Sequence, residues 1–242
     1  MKLNIFKSEE EVLANLAAHF VALANEAIVK KGRFSVALSG GSSPKKLYEL
    51  LSSSAFSNKT DWQKVDFFFG DERNVPQTDS SSNYLMAKKA MFEPLNINPD
   101  QVFAVDTTYA PTEAATNYTT IISNYFGDNK WCFDLVLLGL GDNSHTASLF
   151  PYTPVLQDTT ASAKAVFLED QQVYRITLTA PLINQANNIA YLVYGQGKAI
   201  AVHHVIEDEQ DIQNYPAQLI QPIDGNLQWF LDEAAAANLQ GK

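Results

Sequence analysis

Short apolar runs alternate with amphipathic helical segments along this chain, often across glycine-rich turns, and that alternation constrains its fold more than any other feature. Ser8 and Glu11 have the spacing of a capping box, and Val12, Leu13, Leu16, Phe20, Leu23 and Ile28 follow at helical period, with Gly32 as the stop. Phe34 to Leu38 reads as a strand running into Ser39-Gly40-Gly41-Ser42-Ser43-Pro44 and then a helix, with Pro44 near its first turn. The pattern repeats with a strand at Val65–Phe69 and a helix from about Asn83 to Leu95. A strand at Val102–Val105 and a helix from about Thr112 to Tyr125 follow. Asp134–Leu138 and Ile189–Tyr194 read as buried strands, the second leading into a helix from about Lys198. Val173–Leu178 is an added strand of antiparallel type, and Leu227–Leu239 is read as a closing helix. Such alternation predicts βαβ units, a mostly parallel sheet and an α/β fold. No Pro/Gly/Ser-rich linker divides the chain, so residues 1–242 are expected to form one α/β domain.

Composition narrows the function classes. With 46% hydrophobic residues and 18% charged residues, there is ample material for a core. A net charge of −10 argues against a nucleic-acid partner, since backbone binding needs a basic surface. It leaves room for a small anion held by a few focused cations. No run approaches the ~20 uninterrupted apolar residues of a membrane span, and the acidic start after Lys7 argues against an export signal. One cysteine, Cys132, suits a reducing cytoplasm. With no His-x-x-x-His spacing, neither a metal nor another cofactor is expected.

In open α/β sheets, ligands bind beyond the carboxyl ends of the strands, so the loops there carry the candidates. Gly40, Gly41 and Ser42 sit where backbone can approach a ligand and a helix N-terminus offers free N–H groups; the same loop also reads simply as a tight turn with a serine cap. Asp71, Glu72 and Arg73 follow a buried strand; Arg73 offers a planar fork for phosphate, or the three form a local salt bridge. His145 ends the run from Gly139 through Asp142, Asn143 and Ser144, placed for acid–base work or merely structural. Arg175 lies in the added strand, and Lys198 follows Gly195-Gln196-Gly197, where a lysine reaches a phosphate or stays solvated. His19 reads as a helix residue, and the adjacent His203 and His204 make a poor metal pair.

The ordered set SGGSSP, GDERNVPQTDSSSNY, LGLGDNSHTASLFP, YRITLTAPLINQA, VYGQGKA and YPAQLIQP resembles the 6-phosphogluconolactonase family from about Ser39 to Asp232. The resemblance implies a modified Rossmann-like, three-layer fold with a mostly parallel central sheet, as in glucosamine-6-phosphate deaminases and ribose-5-phosphate isomerases. It implies hydrolysis of 6-phospho-D-glucono-1,5-lactone in the oxidative pentose phosphate pathway, without a metal. His145 matches the catalytic histidine, Arg73 and Lys198 match phosphate-holding residues, and Gly40, Gly41 and Ser42 lie in the loop lining the site. Arg175 joins them as a binding candidate. One departure matters: the family's Asp-Gly-His reads Asn143-Ser144-His145 here. Asn143 can still accept a hydrogen bond from the histidine but brings no charge, so Asp142 and Asp71 stand beside it as candidates to orient the ring, and Ser144 is expected to carry strain if that position needs φ > 0. The rival readings are an amino-sugar-phosphate deaminase or isomerase and a non-catalytic sugar-phosphate sensor. The histidine loop continues Ala147-Ser148-Leu149-Phe150-Pro151 rather than toward the acidic Asn-Glu-Pro-like run expected of a deaminase. A monomer or weak homodimer is expected.

Overall fold

The computed structural model describes residues 1–240. A strand at Lys2–Phe6 (β1) precedes the first helix, Glu9–Lys31 (α1). Ser8 accepts a hydrogen bond from the Glu11 backbone N–H, the Glu11 carboxylate reaches back to the Lys7 N–H, and Gly32 closes the helix at φ +85°. Then come β2 (Phe34–Leu38), α2 (Ser42–Ser52), β3 (Val65–Phe69) and β4 (Asp71–Arg73). The helix α3 (Asn83–Ala87) opens into a wider π-type turn over Lys88–Phe92, so that segment stops short of Leu95. The remaining elements are α4 (Pro111–Phe126), β5 (Leu135–Leu138), β6 (Ala163–Leu168), β7 (Val173–Leu178), α5 (Ala180–Ile183), β8 (Asn188–Val193), α6 (Ala199–Ile206) and β9 (Asn226–Asp232).

Six strands form one parallel sheet in the order β1-β9-β8-β5-β2-β3. Successive residues of the central strands face opposite sides. Val36, Leu38, Leu135 and Leu137 pack with α1, α2 and the π turn, whereas Ala37, Val136 and Leu138 pack with α4 and α6. Both faces are therefore covered, giving three layers. The second cluster also takes in Val166 and Ile176 from a small antiparallel sheet, β4-β7-β6. Gly70 joins the two sheets: its N–H donates to Leu38 of the large sheet, and its carbonyl accepts from Leu178 of the small one.

The predicted α/β class and parallel sheet stand, as does the antiparallel β7. Three details differ. Leu227–Leu239 is not a helix: its first half is β9, buried between β1 and β8, and its alanine run forms turns stitched to the Asp232 carboxylate and carbonyl. Val102–Val105 makes one bridge to Phe67 and no strand. Strands β1, β4 and β6 were not foreseen. α1 is long and apolar enough to cross a membrane by length and composition, but Val12, Leu16, Phe20 and Ala24 on one side of it are buried in the core.

Candidate active site

Four strand ends converge. The loops after β2, β3, β5 and β8 line one cavity of ≈ 280 Å³, into which Gly40, Gly41, Ser42, Asp71, Arg73, His145, Arg175 and Lys198 all contribute. Convergence follows from the parallel topology, which places every carboxyl end on the same edge. Of the residues singled out in the sequence, Asp142 and Asn143 are exposed at the mouth rather than in the lining.

His145 is fixed from three sides. Its Nδ1 lies 2.5 Å from the Asn143 Oδ1, which also accepts from the His145 backbone N–H at 3.4 Å. Two donors meeting on one amide oxygen put the ring proton on Nδ1 and leave the Nε2 lone pair free. One ring face stacks on Phe150, with centroids 3.9 Å apart and planes inclined by 17°. The Gly141 backbone also crowds the ring: an added Cβ would come within 2.0 Å of Nδ1, so only glycine leaves room for the imidazole. Burial pushes the His145 pKa down to about 4; Lys198 and Arg175 push the same way, while Asp71 and Asp142 oppose. The ring is neutral at neutral pH.

Ser144 does adopt the left-handed conformation, φ +61°, and is buried. Its carbonyl accepts from the Ala217 N–H at 3.0 Å, which ties this loop to the YPAQL segment. The strain foreseen for a non-glycine residue here is therefore in place. Ser144→Gly is expected to raise stability by roughly 0.5–1 kcal/mol, less the part offset by the greater backbone entropy that glycine gives the unfolded chain, read as an increase in the urea midpoint.

The carboxylates divide their work differently from their sequence order. The exposed Asp142 pairs with Lys198, Nζ to Oδ1 at 2.6 Å, and makes no contact with the Nδ1 that Asn143 occupies. Asp71 accepts from the Ser148 hydroxyl at 2.7 Å and from the Asn83 amide at 3.2 Å, and its charge favours protonation of His145. Glu72 is buried and turned away from the cavity; it accepts from the N–H groups of Arg73, Asn83 and Tyr84 and from the Ser82 hydroxyl, holding the start of α3. Burial nonetheless raises its pKa.

The cations are paired with each other before anything else. Antiparallel register sets Arg73 directly opposite Arg175 on β4 and β7. Like charges placed so are unfavourable, and the Arg175 pKa is lowered by burial and by Arg73. Among the described residues, the buried Nε atoms of both guanidiniums find no hydrogen-bond partner, although Arg73 donates to the Ser81 carbonyl and Arg175 to Gln171. Two half-buried guanidiniums with open Nε donors at one cavity are suited to a bidentate anion. The first turn of α2 offers a separate set of donors at the same cavity: its cap, Gly41, has no side chain to satisfy the free N–H groups.

Some contributors carried no sequence signal. Asn83 approaches Gly40 so closely that a Cβ there would fall 1.9 Å from its Oδ1, so the two pack as a unit behind Asp71. Asp232, at the end of β9, accepts from the Gly195 N–H with both oxygens at 3.0 Å and anchors the turn that presents Lys198. The Gly40–Asn83 and Gly195–Asp232 contacts span 43 and 37 residues and arise only when the strands assemble. Among the described residues, no group of three or more His, Cys, Asp or Glu side chains is placed to hold a metal ion.

Fold and cavity together define an α/β protein with a ligand pocket of histidine and paired cations at the carboxyl ends of a parallel sheet. A family model described as glucosamine-6-phosphate isomerases/6-phosphogluconolactonase matches residues 7–229. A 6-phosphogluconolactonase of Synechocystis sp. is 39% identical over 220 residues, covering 89% of this chain and 88% of its own. One from Nostoc sp. is 40% identical over 218 residues, covering 88% of each. The structure of a 6-phosphogluconolactonase from Trypanosoma cruzi superposes with a TM-score of 0.88 at 29% identity, over 99% of this chain and 97% of that one. The chain belongs to the glucosamine-6-phosphate isomerase/6-phosphogluconolactonase family, and its three-layer architecture is that family's fold.

Proposed function

We propose that this protein hydrolyses 6-phospho-D-glucono-1,5-lactone to 6-phospho-D-gluconate, the lactonase step of the oxidative pentose phosphate pathway, acting in the cytoplasm through a single α/β domain. The observation that carries the reading is a neutral histidine with a free Nε2, in one cavity with two arginines whose Nε donors are open. It is supported by family membership and by relatives named 6-phosphogluconolactonase along most of the chain.

A lactone is an activated ester and needs a positioned water, a base and relief for a developing oxyanion. His145 Nε2 takes a proton from water as its oxygen bonds to C1, and the carbonyl π electrons move onto oxygen. The tetrahedral oxyanion then re-forms C=O, the C1–ring-oxygen bond breaks, and the imidazolium protonates the departing ring oxygen. His145 is restored and the new carboxylic acid ionises to release acid. Free N–H groups at Gly41–Ser43 support developing negative charge. Arg73, Arg175 and Lys198 hold the phosphate away from C1 and convert its binding energy into alignment. Asp71 steadies the imidazolium by charge, and the Asn143 amide fixes its tautomer.

Hydrolysis of freshly generated lactone above the spontaneous rate, followed as acid release, tests the reading. Ammonia from glucosamine 6-phosphate would instead support the deaminase, and binding without turnover the sensor. Asp142 is assigned to Lys198 rather than to the base. Asp142→Ala is accordingly expected to keep turnover within about threefold, because an exposed ion pair is worth about 0–1 kcal/mol. A loss beyond tenfold would return Asp142 to the catalytic group.

A further inference from the structure

The backbone after His145 turns back on itself. Ala147 has φ +47°, Thr146 and Leu149 form an isolated antiparallel bridge, and the Leu149 N–H donates to the Thr146 carbonyl at 2.9 Å. That tight return lays the Phe150 ring over the imidazole at 3.9 Å, nearly parallel to it. The Phe150 carbonyl accepts from the Thr153 hydroxyl and N–H, which fixes the main chain beneath the ring. The Gly141 backbone lies so close to the imidazole that a Cβ there would fall 2.0 Å from Nδ1. The side chain on Nδ1 is a neutral amide.

We propose that Phe150 is a positioning residue for the reaction read above, clamping His145 against Gly141 and stabilising the imidazolium through the face of its ring, at a site where the Nδ1 partner brings no charge. A cation held over an aromatic face is attracted by the ring's quadrupole, more so when desolvated. The ring also excludes water, which works against the charged form; aromatic stacking and apolar burial therefore oppose one another and must be separated. Other groups facing the imidazole are Asp71 from β4, Arg175 from β7, and Lys198 and Asp142 at the rim. Their charges do not change when Phe150 is replaced.

Phe150→Leu keeps the apolar cover and removes the π face; Phe150→Tyr keeps both. The first reading is an NMR titration of the His145 imidazole in the full-length protein, which requires no activity. Phe150→Leu is expected to lower the His145 pKa by about half to one unit, and Phe150→Tyr to restore it. The second reading is lactone hydrolysis, where Phe150→Leu should lower kcat about five- to tenfold with KM within about twofold, again rescued by Tyr. In the Asn143→Asp background a carboxylate supplies the missing charge, and the same Leu replacement should cost less than about twofold. An unchanged His145 pKa in Phe150→Leu, or a loss that Tyr fails to rescue, overturns the proposal. If the wild type does not hydrolyse the lactone, the functional reading fails while the titration still decides the role of Phe150.

Discussion

His145→Ala should abolish most turnover, lowering kcat by about 10²- to 10⁴-fold while substrate affinity changes little, because a general base acts in the transition state and the phosphate contacts lie elsewhere. Steady-state assay with fresh lactone measures the first, and competition by 6-phosphogluconate measures the second. Near-normal turnover would remove His145 from the mechanism. The pH profile gives a companion result. Because burial holds the free-enzyme pKa at about 4, the base is available across pH 5–8, and the acid limb of kcat/KM should fall near pH 4. The sign reverses on binding: a phosphate offsets Lys198 and Arg175, which disfavour the imidazolium, so the acid limb of kcat should lie higher than that of kcat/KM. Asn143→Asp should raise both limbs. An acid limb of kcat/KM near the ordinary histidine value would contradict the burial argument. Stability follows the same depressed pKa: it is fully present above about 6.5, and is lost as pH falls toward 4 because the unfolded chain takes up the proton first.

The second large effect separates affinity from stability. Arg175→Met removes one of two like charges facing each other across β4 and β7 and keeps an apolar stem. Lost charge-assisted hydrogen bonds of about 1.5–3 kcal/mol should lower kcat/KM by about 10- to 150-fold. The unliganded protein should be slightly more stable, by about 0.2–1 kcal/mol, since the cross-strand repulsion is gone. Urea unfolding with and without 6-phosphogluconate tests both, as the variant should lose the stabilisation that the ligand confers on the wild type. Equal affinity for the phosphorylated product in both proteins would exclude Arg175 from phosphate binding.

The misread regions share one cause. Leu227–Leu231 is apolar enough for either helix or strand, and only the slot between β1 and β8 makes it a strand. β1 had no nearby partner in sequence; its pairing residues lie more than 220 positions away. β4 is three residues long and exists because Gly70 lets the chain step from the large sheet to the small one. In the site, His145, Arg73 and Lys198 were legible from glycine turns at strand ends and from the ordered motifs. Asn83, Phe150 and Asp232 act through contacts that no local pattern encodes.

Local chemistry along the chain thus determined the alternation of strands and helices, the parallel sheet, the edge where chemistry gathers, and the Asn143-Ser144 substitution before the histidine. Tertiary structure alone decided what those residues touch. It bonded Asn143 to Nδ1, sent Asp142 to Lys198, set Arg73 against Arg175 and stacked Phe150 on His145. The reason is reach: periodicity and turn propensity act over a few residues, whereas a pocket's hydrogen bonds and charges depend on which distant strands the buried core brings side by side.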